Sequence, residues 1–405
     1  MDTVSMNVLM LVTTDVAHDS RVLREAVVLA ELGHAVHIVG KDVPDGWIPP
    51  AGVSVESVSG GSGLKPAGAR PVAKGSLRAA ARWALLPRHR RRVWRTWSAA
   101  ARAAVADRRF DVVHAHDFNV LQLAADLADR QQALLVYDSH EWWSGRQVHG
   151  RRTPVERAHD KRVERRIVRR ADAVLTVSDG IAKNLGRWRQ PQGTDVVVIR
   201  NTFPAREQSD VPLPQRPVGV VYAGRIGAAR DLETLLAATA SIGLTTRLMG
   251  PVERGFLEWL RPSSARVRIE PARPVDEVDD VLRTDGISVV TLTDTCENHR
   301  LALPNKLFHA VRAGVPVLAA DLPEMRRLVT RYGLGQLYRP GDVGSMRAAL
   351  ERLIEDYPQW CEQVAKAAGE LSWEQDAMAL SGVYDTLAGR VDRLSVQPVS
   401  VEEGS

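Results

Sequence analysis

"VGVVYAGRIGAARDLETLLAATASI", residues 218 to 242, reads as one strand, one tight turn and one helix. Its first seven residues are an almost unbroken apolar run, the pattern of a strand buried on both faces. "LETLLAATASI" (232–242) has helical spacing, and Gly243 follows to end it. Between them "AGRIGAAR" (223–230) delivers Arg225 and Arg230 beside the helix start. A strand feeding a helix in this way is the building unit of a parallel sheet.

The unit recurs along the whole chain. In the first half the expected strands are "NVLMLVT" (7–13), "HAVHIVG" (34–40), "DVVHAH" (111–116), "ALLVYDS" (133–139), "AVLTVS" (173–178) and "DVVVIR" (195–200). In the second half "TRLMG" (246–250), "RVRIE" (266–270), "ISVVTL" (287–292) and "VPVLAAD" (315–321) join the strand at 218–224. Between the halves, "NTFPAREQSDVPLPQRP" (201–217) has the proline-rich, polar composition of a linker. A chain of 405 residues suits two domains of roughly 150–200 residues each. The fold class expected is α/β, with two Rossmann-like parallel-sheet domains facing across a cleft. The domains would span 1–205 and 206–372, with a helix over 373–395 returning to the first domain and a flexible tail over 396–405.

Composition narrows the function classes. Two cysteines, Cys296 and Cys361, provide neither a disulfide framework nor paired metal-ligand spacing, and favour a reducing compartment. The apolar run "VLMLV" (8–12) is too short to span a membrane and lacks a signal-peptide flank. A cytoplasmic protein is therefore expected. The net charge of +5 is unevenly spread: from Lys65 to Phe110 the only acid is Asp107, against many arginines interleaved with Trp83, Trp94 and Trp97. That pattern would let residues 78–102 lie peripherally on an anionic membrane at the inner face of the cell membrane, or accept a phosphate-bearing substrate. No helix-turn-helix, zinc or RNA-recognition signature supports nucleic acid as a partner. The glycine-rich "SGGSGLK" (59–65) lacks Walker spacing and reads as a flexible loop.

In open parallel sheets, ligands bind outside the carboxyl ends of the strands. Arg225 and Arg230, with Gly224 before them, suit an anion with several oxygens, such as a diphosphate, because guanidinium forks and a helix N-terminus act together. "LPNKLFHAVRAGVPV" (303–317) begins a second helix at Pro304, so that Asn305, Lys306 and its free N–H groups point toward the same cleft. His114 and His116 of "HAHD" (114–117) are taken to point to opposite sides of their strand, which leaves no shared metal site and makes both structural.

These motifs, in this order and spacing, resemble the large retaining glycosyltransferase family 4, whose fold is GT-B. "DSRVLREAVVLAELGHAVHIV" (19–39), "FDVVHAHD" (110–117), "VYDSHE" (136–141) and "ADAVLTVSDGIAKNL" (171–185) carry the resemblance in the first half. "VYAGRIGAARDLETLL" (221–236), "LPNKLFHAVRAGVPVLAADLPEMRRLV" (303–329) and "LSWEQDAMALSGVYDTL" (371–387) carry it in the second.

The resemblance implies transfer of a sugar from a nucleotide diphosphate sugar, with retention, in polysaccharide or glycoconjugate biosynthesis. The acceptor would be a glycan, a lipid-linked group or a small molecule. Arg225, Arg230 and His140 would be the catalytic set. Lys306, Asn305, His309, Gly224, Glu297 and Leu303 would bind the donor, and Asp15, His18, Asp19 and Arg21 the acceptor. No cofactor and no metal would be needed, because the cations would balance the leaving diphosphate. The family commonly carries two glutamates on the donor helix, at positions that fall here on Leu301 and His309. Neutral imidazole has one acceptor nitrogen where a carboxylate could serve both ribose hydroxyls, so a modified ribose contact is expected. A nucleotide-sugar 2-epimerase of similar fold and a catalytically idle, glycosyltransferase-like binding subunit are the alternatives.

Overall fold

The structure, a computed structural model, describes residues 4–58, 92–146, 154–190, 195–206, 210–260 and 266–396. Two wholly parallel sheets organise it. The first has the order β3-β2-β1-β4-β5-β6-β7, with β1 at Asn7–Asp15, β2 at Ala35–Lys41, β3 at Val53–Ser57 and β4 at Val112–His116. It is completed by β5 at Leu134–Ser139, β6 at Ala173–Thr176 and β7 at Val197–Val198. The second runs β10-β9-β8-β11-β12-β13, from β8 at Gly219–Ala223, β9 at Thr245–Met249 and β10 at Val267–Glu270 to β11 at Gly286–Val290, β12 at Val317–Ala320 and β13 at Gly335–Tyr338. In each, the chain works outward from a central strand, jumps back and continues on its other side. The crevices thus open at β1/β4 and β8/β11.

Apolar side chains fix the layers. Leu9, Leu11, Val113 and Tyr137 pack on one face of the first sheet, Val8, Met10, Val112 and Val136 on the other. The alternation is the two-residue period of strands covered on both sides. On the second face lies the helix Trp373–Val396, which buries Leu380, Tyr384 and Leu387 against the first sheet although it follows the second in sequence. Trp373 N–H donates to the Phe203 carbonyl at 2.9 Å, and Thr202 hydrogen-bonds Asp376. The proline-rich connection is therefore pinned where it leaves the first domain, and Phe203 is buried in the core of the second.

Three expectations change here. β3 and β13 were not anticipated. Trp97 is 1% exposed in the first core, with Trp94 stacked on it at 5.4 Å, so these two aromatics serve packing instead of a membrane face. The rest of that basic stretch, residues 78–91, lies outside the described residues, as do the glycine-rich segment 59–65 and the tail from 397 onward. His114 and His116 stand two apart on β4, hence on one face, and their rings stack at 4.3 Å. Among the described residues no helix is long and apolar enough to cross a membrane.

Candidate active site

The carboxyl ends of both sheets face a cleft of about 540 Å³ between the domains. From the second domain, the turn after β8 supplies Arg225 and Arg230 to its wall. That turn is strained: Ala229 and Asp231, neither of them glycine, have φ of 63° and 53°, at a cost of about 1–3 kcal/mol each. Asp231 holds it in place by accepting from Thr234 Oγ1 (2.6 Å), Tyr338 Oη (2.8 Å) and Gly341 N–H (3.0 Å). The strain aims Arg230, between the two, into the cleft. Arg225 is looser, its side chain 64% exposed and 3.9 Å from Glu253.

Pro304 precedes the helix Asn305–Ala313, whose first turn has no side-chain cap. Pro304, Asn305 and the buried Leu303 line the cleft. Lys306 sits over the Tyr222 ring, 4.6 Å from its centre. Burial, with Arg230 adding to it, lowers the Lys306 amine to about 7. Gly224 makes room for it: a methyl group there would stand 3.1 Å from Lys306 Nζ. A bound diphosphate would restore the charge on Lys306. Affinity for a nucleoside diphosphate is accordingly expected to be full below pH 7, where the free protein already holds that proton. Above it, affinity falls by up to about tenfold per pH unit as proton uptake becomes part of binding. Calorimetric titrations from pH 6 to 9 check this, and Lys306→Arg should flatten the profile.

From the first domain comes His140, at the end of β5. Its Nε2 is 2.8 Å from Asp138 Oδ2 and its Nδ1 is 3.6 Å from Asp117 Oδ2. Burial opposes the charge, but Asp117 and Asp138 outweigh it and raise the imidazole to about 9. Asp117 has φ 68° and accepts the His140 N–H at 3.1 Å. Asp138, fully buried, accepts twice from Arg21, at 2.8 and 2.9 Å. Burial works against its carboxylate too, yet Arg21 and His140 hold it well below the usual range. Neither aspartate was singled out from the sequence. "YDSH" shows the signal, since residues two apart on a strand end share a face.

Behind His140, four buried atoms lack a hydrogen-bond partner: both Glu25 carboxylate oxygens and the Nε2 atoms of His114 and His116. With Asp138 these residues are the group, among those described, that could hold a metal ion. Arg21, however, lies 3.0 Å from Glu25 and grips Asp138, so the Asp138 charge already faces a cation, and burial raises the Glu25 carboxyl to about 7. A divalent ion would add uncompensated positive charge in the interior.

A second cavity of about 390 Å³ adjoins the first and shares His140, Asn201 and Asn305 with it. Asp15, His18, Asp19 and Arg21 all border it. Arg21 is 4% exposed and its donors are spent on Asp138, the Ile199 carbonyl and Asn201. It is thus a buried strut, not an available ligand contact.

Two other sequence candidates are occupied otherwise. Glu297 accepts from Trp142 Nε1 at 2.9 Å, clasping the domains together. His309 lies outside the cleft lining: its Nδ1 is 3.0 Å from the buried Asp279, and its ring centre is 4.2 Å from that of Phe203. Arg312 holds the other Asp279 oxygen. His309→Glu would set a second carboxylate against Asp279, and is expected to cost about 1–3 kcal/mol in denaturant unfolding. Restored acidity at this position is therefore not a simple gain of ribose binding.

Residues 18–202 match the Glycosyl transferase 4-like domain family. Two curated relatives extend the likeness into the second domain. The phosphatidyl-myo-inositol mannosyltransferase of Mycolicibacterium smegmatis is 25% identical over 384 residues, 91% of this chain and 90% of that one. The glycogen synthase of Mycobacterium tuberculosis is 25% identical over 72% of each chain. The chain is a glycosyltransferase, similar to those of family 4.

Solved structures agree on the fold of this glycosyltransferase. Sucrose-phosphate synthase from Thermosynechococcus elongatus superposes with a TM-score of 0.70 at 18% identity, covering 95% of this chain and 99% of that one. Anabaena HepE, solved in complex with UDP, gives 0.64 at 15% identity over 94% and 100%. The GT-B architecture expected from the sequence is thereby established, while the enzyme class rests on the sequence relatives.

Proposed function

We propose that this glycosyltransferase takes its sugar from a nucleotide diphosphate sugar held between the domains and transfers it with retention of configuration. The observation that carries the reading is the meeting of two cavities at His140. One is walled by the Arg225 and Arg230 turn, the other by Asp15, His18 and Asp19. Arg225, Arg230, Lys306 and the uncapped start of Asn305–Ala313 would take the diphosphate. As the bond from the anomeric carbon to the diphosphate oxygen breaks, these fixed donors would meet the negative charge that develops there. No metal is required for that step when cations and helix N–H groups already converge on it. His140 would hydrogen-bond the transferred sugar at the junction, and the acceptor would enter through the second cavity. That the HepE neighbour was solved in complex with UDP supports a nucleotide ligand for this fold.

Incubation with a panel of UDP-, GDP-, TDP- and ADP-sugars and simple sugar acceptors tests this reading. A product whose anomeric proton coupling matches the donor's supports it. An inverted product defeats the retention claim, and isomerised free sugar nucleotide without acceptor would point to epimerase chemistry instead.

A further inference from the structure

We infer that the acceptor presents an uncharged polyhydroxyl group, a sugar or a polyol, to the second cavity, and that a phosphate beside the reacting hydroxyl is rejected. This rests on the glycosyltransferase reading proposed above. The cavity sets carboxylates and amides beside basic groups that already face an acid, where a phosphate would need free cations. Asp15 and Asp19 both border it, as do Asn201 and Asn305. Asp15 Oδ1 accepts from Ala17 N–H at 3.1 Å and its Oδ2 is 2.8 Å from His18 Nδ1. Asp19 Oδ2 accepts from Thr14 Oγ1 at 2.6 Å. Each carboxylate keeps further acceptor capacity, which beside two amides gives the mixed acceptors and donors that vicinal hydroxyls require.

The basic groups nearby each face an acid, His18 included, 2.8 Å from Asp15. Arg21 is enclosed by Asp138, Glu25 and backbone carbonyls. His140 stands between Asp138 and Asp117. The helix Ser20–Glu31 starts at this cavity, and a bare helix start would welcome phosphate. Here Asp19 caps it with its own carboxylate, accepting from Val22 N–H at 3.3 Å. A phosphate would have to settle beside these two carboxylates, next to imidazoles that already face acids, which is discrimination by like charge. The contrast is with relatives whose names specify phosphorylated inositols, the phosphatidyl-myo-inositol mannosyltransferase above among them.

The test compares matched pairs of acceptors, glucose with glucose 6-phosphate and myo-inositol with inositol 3-phosphate. It uses the full chain and whichever nucleotide sugar it turns over or whose nucleoside diphosphate it binds. The neutral member is expected to react at least about tenfold faster in kcat/KM. Asp15→Asn, at a side chain 36% exposed, should shrink that ratio by restoring some use of the phosphorylated member. Equal or faster use of the phosphorylated member overturns the inference. So does a protein that binds a nucleoside diphosphate yet turns over no neutral acceptor, an outcome that leaves the donor side of the reading standing. Failure to bind any nucleoside diphosphate removes the underlying reading and the inference with it.

Discussion

Arg230→Ala is expected to lower turnover by about a hundred- to a thousandfold, the loss seen when one pre-placed donor to developing negative charge is removed, while the melting temperature stays nearly unchanged. The two halves of that expectation have separate causes. Arg230 is part-exposed and has no ion pair among the described residues, so its removal leaves no orphaned charge and no cavity. Its position, in contrast, is bought with two left-handed residues, Ala229 and Asp231, and three hydrogen bonds to Asp231. A turn held that way presents its guanidinium without reorganisation when the diphosphate leaves. Arg225→Ala should cost less, because a side chain 64% exposed beside Glu253 is screened by water. Steady-state kinetics of the two variants on one donor, with melting curves alongside, check the ranking.

Asp138→Ala should have the largest effect on stability, about 3–5 kcal/mol, because it strands a buried cation. Arg21 is 4% exposed and loses the partner that takes two of its hydrogen bonds. Glu25, 3.0 Å away, offers partial relief only. His140 loses its 2.8 Å contact as well, so activity should fall with stability. Denaturant unfolding checks the first effect. The second is separated by the milder Asp138→Asn, which keeps the shape and one acceptor oxygen: its kcat should fall under conditions where it is fully folded. An Asp138→Ala protein as stable as the parent would mean that the buried network contributes little.

Much of this arrangement was legible in the sequence because both sheets are parallel and covered on both faces, so their central strands are apolar runs that composition alone reveals. The missed strands are at the edges. β3 carries Ser54, Glu56 and Ser57 among its valines, and β13 is "GQLY"; a strand with one neighbour needs no continuous apolar run. The cations of the donor side were also legible, since Arg225, Arg230 and Lys306 follow strand ends or start a helix. What pattern could not supply was pairing across the fold. Arg21 and Asp138 are 117 positions apart, and His309 finds Asp279 on a neighbouring helix, 30 positions earlier. Trp97 looked like part of a surface stripe because its partners, among them Phe110 and Val113, come from other elements of the first core. Reading His114 and His116 as opposed was an error of period, which their stacked rings correct.

The central claim is a nucleotide-binding cleft built from Arg230, Lys306 and the start of Asn305–Ala313. A thermal-shift titration against UDP, GDP, TDP, ADP and CDP tests it most directly, since a ligand that binds only the folded state raises its stability. The account predicts a concentration-dependent rise with at least one of the five, much reduced in Arg230→Ala. A cooperatively melting protein whose midpoint moves with none of them, or moves equally in the variant, would contradict it.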